Sequence, residues 1–197
     1  MDFQNIQFLI SAAQVSQFPP DYGAEVAFVG RSNVGKSSAL NAITGKKSLA
    51  RISKTPGRTQ LINFFTVNHR LRLVDLPGYG FAKVSRTQQA QWQELVEAYL
   101  GQRDSLKALV FLMDSRHPLT TLDQQMLQWL LTKPCERLVL LTKVDKLNQG
   151  PLQQLQREIP QILSEKFQWS GSLILFSATK GTGVAKAVAW LNEALKE

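Results

Sequence analysis

Glu25-Val26-Ala27-Phe28-Val29-Gly30-Arg31-Ser32-Asn33-Val34-Gly35-Lys36-Ser37-Ser38 is the stretch whose reading decides the fold. Residues 26–29 are a short apolar run of strand type, and residues 36–43 carry helical spacing. Between them, Gly30 to Ser37 fits G-x-x-x-x-G-K-[ST]. Glycines in that pattern let successive backbone N–H groups curl round phosphate oxygens at a helix N-terminus, where the dipole favours negative charge. Lys36 is then placed to bridge terminal phosphates as a point charge, and Ser37 to ligate magnesium. A strand before and a helix after distinguish a phosphate-binding loop from a chance glycine turn. Its candidate contacts are Gly30, Arg31, Ser32, Asn33, Val34, Gly35, Lys36, Ser37 and Ser38.

Outward from this loop the chain alternates. Strand-like apolar runs occupy 26–29, 61–67, 71–74, 108–113, 137–141 and 173–176, with helical patterns at 36–43, 88–100, 122–131, 152–167 and 184–195. Apolar strands separated by helices predict a parallel sheet covered on both faces. The runs 61–67 and 71–74 are joined only by a few residues around Asn68-His69, so they form a hairpin and one strand runs antiparallel. The expectation is a six-stranded, mostly parallel α/β sheet with helices on both faces, spanning 24–197. Residues 1–23 are a weakly patterned extension, in which Phe18-Pro19-Pro20 suggests an extended entry into the first strand.

Composition sets the class. With 197 residues, 44% hydrophobic and 19% charged, the chain suits one globular domain and excludes a disordered, collagenous or coiled-coil protein. No apolar run approaches the roughly 20 residues that span a bilayer, and residues 1–15 have no Lys or Arg to start a signal peptide. Cys135 is the single cysteine, so no internal disulfide forms and a reducing, cytoplasmic setting is expected. The net charge of +8 comes from one place: residues 26–93 hold eleven bases and one acid, Asp75. Such an excess is either a solvated basic face or a surface for phosphate, as nucleotide, RNA or both.

Three further motifs follow strands, at the ends where such sheets bind ligands. Asp75-Leu76-Pro77-Gly78 after 71–74 offers a carboxylate to hold magnesium through water and a Gly78 N–H for a terminal phosphate. Thr142-Lys143-Val144-Asp145 follows 137–141. Asp145 can accept from the N1–H and exocyclic amine of guanine, a donor pair that adenine lacks. The stem of Lys143 can lie over the purine. Ser177-Ala178-Thr179 after 173–176 can supply a backbone N–H to the guanine oxygen. The ligand predicted from these positions is GTP or GDP.

Through GRSNVGKSSALNAITG, SKTPGRTQLINFF, DLPGYGFAK, TKVDK and SATKGTG, the sequence resembles the translation-factor-like GTPases of the TrmE–Era–EngA–EngB–septin group, and within them the EngB family. The resemblance implies a Ras-like P-loop GTPase fold. It also implies a GTP-dependent switch in assembly of the large (50S) ribosomal subunit, with a described need in septation. It places nucleotide contacts at Gly57, Arg58, Thr59, Gln60 and Leu61, with Thr59 as a switch threonine on magnesium and the terminal phosphate. Thr55 is the other candidate by position, and the residues alone read as a Pro-Gly turn. Magnesium would be held by Ser37, Thr59 and, through water, Asp75; Lys36, Thr59 and Gly78 would act on the reacting phosphate. Many GTPases carry a water-orienting glutamine where this chain has Tyr79, so slow intrinsic hydrolysis is expected. Related GTPases with an asparagine at the place of Asn33 hold potassium, so the resemblance also implies a potassium ion beside the loop. The basic stretch, with Lys46, Lys47, Arg51, Lys54 and Arg58, is the candidate rRNA contact of a monomer with no stable membrane association. Two rivals remain: a cell-division switch working through protein partners, and a P-loop kinase, which leaves TKVD and SAT without a use.

Overall fold

The computed structural model describes residues 3, 5–50, 61–80 and 86–195. Among these, the elements run β1 (Gln7–Ala12), β2 (Ala24–Gly30), α1 (Lys36–Thr44), β3 (Ile62–Thr66), β4 (Leu71–Asp75), α2 (Arg86–Gln102) and β5 (Leu106–Asp114). They continue with α3 (Thr121–Leu130), β6 (Glu136–Thr142), α4 (Gln149–Phe167), β7 (Ser172–Leu175) and α5 (Val184–Ala194). One sheet has the order β1-β3-β4-β2-β5-β6-β7. Strand β3 is antiparallel to both neighbours, and the pairs from β4 through β7 are parallel.

The central strand β2 shows why these residues choose this place. Val26 and Phe28 face one side and meet Leu40 and Ile43 of α1 and Leu191 of α5. Ala27 and Val29 face the other, in a core shared with Val96 of α2, Leu127 of α3 and Leu163 of α4. With both faces covered, the strand reads as one apolar run rather than an alternation. Helix α4 buries Ile159, Leu163 and Phe167, one residue per turn along a single stripe.

The sheet has seven strands where the sequence predicts six, because β1 lies in the segment read as a plain extension. Its pairing with β3 shifts register between Phe8 and Ile10, a bulge that breaks the two-residue period. Phe8 and Leu9 are also solvent-exposed on this edge, so no inward-outward pattern shows in the sequence. Strand β1 is held by an edge-to-face contact of Phe8 with Phe65 and by Ser11 Oγ donating to Asn63 Oδ1 at 2.6 Å. The β3–β4 turn forms as expected, with Asn68 Oδ1 accepting from the N–H groups of Arg70 and Leu71 at 2.8 and 2.9 Å.

At the amino-terminal end of the sheet, Glu25 is fully buried. It accepts from Arg72 Nη1 at 2.8 Å, Tyr99 Oη at 3.0 Å and Arg103 Nε at 3.2 Å, with a further bond from Arg103 Nη2. Arg103 Nη1 donates to Pro19 O at 2.7 Å, and the Arg72 guanidinium lies 4.5 Å over the Tyr22 ring. One carboxylate thus fastens β2, β4, α2 and the segment leading into β2. Breaking a buried charge network from one side leaves uncompensated charge. Glu25→Gln is expected to cost about 3–5 kcal/mol of unfolding free energy, measured by urea denaturation; an unchanged midpoint would contradict this role.

Candidate functional site

The carboxyl-terminal ends of the parallel strands gather the predicted motifs. The chain leaves β2 for α1, with Val34 N–H donating to Arg31 O at 3.1 Å and Ala39 N–H to Gly35 O at 2.8 Å. Gly35 has φ +102°, a conformation that a side chain strains, and α1 begins at the next residue. The loop therefore turns its first helical N–H groups and the helix dipole toward the space above β2, a cradle for phosphate.

Lys36 Nζ forms an ion pair with Asp75 Oδ1, joining the phosphate loop to the end of β4. The chain after Asp75 lies on the loop: Leu76 N–H donates to Phe28 O at 3.0 Å, and Ser32 N–H to Tyr79 O at 2.8 Å. Gly78 passes so close that a Cβ there would sit 3.2 Å from Ser32 N. The residues Gly30 to Ser37 and Asp75 to Gly78 are thus assembled as one unit. Among the described residues the donors available for magnesium are the Ser37 hydroxyl and the Asp75 carboxylate, hard oxygens that fit this cation. Among the described residues no group of three or more His, Cys, Asp or Glu could hold a metal, so phosphate oxygens would complete the coordination. When bound, the ion would neutralise charge on the phosphates.

Beside the cradle lies a cavity of about 220 Å³, lined by Val34, Gly35, Ser38, Thr142, Lys143, Asp145, Phe176, Ala178 and Thr179. Thr142 Oγ1 lies 2.8 Å from Val34 O and 3.0 Å from Met113 O and shares its one proton between the two carbonyls, which ties the end of β6 to the phosphate loop. Lys143, at φ +59°, sends Nζ to Asn33 O at 2.6 Å and Asp114 Oδ2 at 2.9 Å, stretching its stem along the cavity wall. Asp145 Oδ1 accepts from Ser177 Oγ at 2.6 Å. That bond lowers the Asp145 pKa below its ordinary value, so the carboxylate stays an acceptor near neutral pH. Cavity and carboxylate together can receive a planar base that offers two adjacent donors, as guanine does.

Asp114 was not anticipated, although it ends β5 as Asp75 ends β4; its position on a strand terminus was the available signal. Burial works against its charge, but hydrogen bonds from Arg116 and Lys143 outweigh this and hold its pKa far below the carboxylate range. It accepts from Arg116 Nε and Nη2 at 2.9 and 2.7 Å and fixes the Lys143 ammonium over the loop. The Arg31 side chain turns away from the cradle, with Nε on Asp123 Oδ1 at 3.1 Å and Nη2 on His117 O at 3.0 Å. Leu61 is half-buried just before β3; Thr55, Gly57, Arg58, Thr59 and Gln60 lie outside the described residues. A wider, open valley of about 1320 Å³ at the sheet's opposite end is lined by Tyr22, Arg70, Lys107, Glu136 and Leu195 among others, away from these motifs.

Asp145→Asn is expected to lower GDP affinity by about 100-fold or more in a calorimetric titration, and to raise affinity for xanthosine diphosphate, whose edge pairs a donor with an acceptor. Unchanged GDP affinity would remove Asp145 from the base site. Burial raises the Cys135 thiol to about 11, so it is neutral at working pH and its thiolate forms only as pH climbs toward that value. Alkylation of the folded protein at pH 8 should run about 100-fold slower than for a free thiol; equal rates would contradict this burial.

Residues 25–143 match the family model described as 50S ribosome-binding GTPase. A protein named "Probable GTP-binding protein EngB" from Coxiella burnetii (strain RSA 493 / Nine Mile phase I) is 50% identical over 194 residues, covering 97% of this chain and 93% of its own. Its namesake from Azoarcus sp. (strain BH72) is 51% identical over 199 residues, covering 99% and 95%. The crystal structure of a probable GTP-binding protein engB superposes with a TM-score of 0.69 at 24% identity, over 87% of this chain and 98% of that one. Era, in complex with MgGDPNP and nucleotides 1506–1542 of 16S ribosomal RNA, superposes at 0.67 and 25% identity, over 89% of this chain and 58% of its own. With the Ras-like sheet in place and near-complete coverage at half identity, the chain belongs to the EngB family of GTP-binding proteins.

Proposed function

We propose that this GTPase is a slow switch in assembly of the large (50S) ribosomal subunit, working as a cytoplasmic monomer. The observation that carries the reading is the match of residues 25–143 to GTPases described as binding the 50S ribosome, in a chain whose charge excess is basic and concentrated. Lys36 and Gly78 act on the terminal phosphate, Ser37 and Asp75 (through water) hold magnesium with Thr59, and Asp145 reads guanine. Potassium beside Asn33 supplements the positive charge at the phosphates, and equal rates in sodium and potassium salts would exclude it. Among the described residues no helix is long and apolar enough to cross a membrane.

Slow hydrolysis is supported by Tyr79. Its hydroxyl donates to Asp123 Oδ1 at 2.9 Å and the side chain is buried, so it orients no water at the phosphates. The basic stretch is smaller than its count suggests. Arg31, Lys36 and Arg72 are paired with Asp123, Asp75 and Glu25, the last lying one residue outside the stretch. Arg70 stands in the hairpin at the opposite end of the sheet. The rRNA contacts are assigned to Lys46, Lys47, Arg51, Lys54 and Arg58, the bases around the expected switch, of which the last three lie outside the described residues.

Isolated protein should hydrolyse GTP at about 10⁻² per second or slower, and faster with 50S particles. Turnover typical of metabolic enzymes would contradict the reading. In sucrose gradients the protein should travel with 50S rather than 30S particles when bound to a non-hydrolysable GTP analogue, and dissociate as salt rises. Absence of 50S association in every nucleotide state would overturn the ribosomal role.

A further inference from the structure

Asp123 lies on α3 and is fully buried. Four donors converge on its carboxylate. Thr120 N–H and Oγ1 reach Oδ2 at 3.1 and 2.8 Å, closing a capping box at the start of α3. The other oxygen serves the phosphate site: Oδ1 accepts from Arg31 Nε at 3.1 Å and from Tyr79 Oη at 2.9 Å. Arg31 belongs to the phosphate loop, and Tyr79 directly follows Gly78. One oxygen on a third element therefore holds both sides of the seam between loop and Gly78.

The seam is also closed by backbone. Arg31 and Tyr79 form an isolated parallel bridge, and Ser32 N–H donates to Tyr79 O at 2.8 Å. On its far side the segment is held by Trp92, whose Nε1–H donates to Pro77 O at 3.2 Å and whose ring lies 6.5 Å from Tyr79. Burial, reinforced by the Asp123 charge, raises the Tyr79 pKa far above its ordinary value, so the hydroxyl remains a donor.

We propose that Tyr79, anchored on Asp123, is a positioning residue that fixes the height of Gly78 over the phosphate loop and so sets the preference for guanosine triphosphate over diphosphate. The inference rests on the reading of Gly78 as a terminal-phosphate contact. A segment ordered beforehand spends no binding energy on ordering when the third phosphate arrives, and only the triphosphate gains from this. Diphosphate affinity is set by the loop itself and does not depend on the anchor.

The test uses full-length wild type, Tyr79→Phe and Thr120→Ala, titrated calorimetrically with GDP and with a non-hydrolysable GTP analogue in magnesium buffer. Tyr79→Phe removes the hydroxyl alone. Thr120→Ala removes one of the two bonds to Oδ2, leaves Oδ1 with its Arg31 and Tyr79 donors in place, and serves as the structural control. The expected result is a ratio of analogue to GDP affinity that falls on the order of tenfold in Tyr79→Phe, the scale of one hydrogen bond to a charged group. GDP affinity should stay unchanged, and Thr120→Ala should keep the wild-type ratio. Tryptophan emission supplies a second readout through Trp92: the difference between GDP and analogue states should be small in wild type and grow in Tyr79→Phe. An unchanged ratio in Tyr79→Phe would overturn the anchor while leaving the functional reading intact. Equal falls in both variants would reduce the network to a structural role and overturn it as well. Failure of wild type to bind the analogue would instead overturn the reading of the phosphate site, and this inference with it.

Discussion

The ion pair between Lys36 and Asp75 is the interaction on which the rest of the site depends. Two opposite charges, each nearly shielded from solvent, meet where β2 and β4 run side by side. Neither is tolerable there alone, because an unpaired charge in a shielded site carries a large desolvation cost. The pairing needs parallel strands in this register, with Asp75 opposite Phe28, and a helix that starts just after the loop leaving β2. It therefore specifies the topology as much as the chemistry. A nucleotide's terminal phosphates are a competing anion for Lys36, and a hard cation is a competing partner for Asp75. On the proposed reading, nucleotide and magnesium would exchange partners with this pair rather than bury new charge.

Around this pair the site is built by linking strand termini sideways. Thr142 bonds the carbonyl of Val34, Lys143 bonds that of Asn33, and Asp123 holds Arg31 and Tyr79. Each tie runs from a neighbouring element to the phosphate loop, which is thereby held both from the end of β6 and from α3. Rigid placement of donors ahead of the ligand is what makes a cradle of weak contacts effective. The single buried carboxylate Glu25 plays the corresponding part at the other end of the sheet, where it fastens the entry into β2.

Much of this was legible in the sequence because buried parallel strands and phosphate loops leave local signals. Six of the strands and five helices follow from apolar runs and helical spacing, and the loop follows from its glycines. Strand β1 was not legible, since a bulged, half-exposed edge has neither a continuous apolar run nor an alternation. The side-to-side ties were not legible either. Nothing local marks Asp123 as a partner of Arg31, 92 positions away, and only its place at the end of β5 could have marked Asp114. A charge count is blind to such pairs as well: Arg72 is buried against Glu25, which lies one residue before the counted stretch.

The most direct measurement is a crystal structure of the magnesium complex with a non-hydrolysable GTP analogue. The account predicts that Lys36 leaves Asp75 for the terminal phosphates and that the base lies in the cavity with Asp145 on its two-donor edge. It also predicts that the bond from Tyr79 to Asp123 persists while Gly78 N–H meets the third phosphate. A nucleotide bound elsewhere, or Lys36 still paired with Asp75 beneath a bound nucleotide, would contradict it.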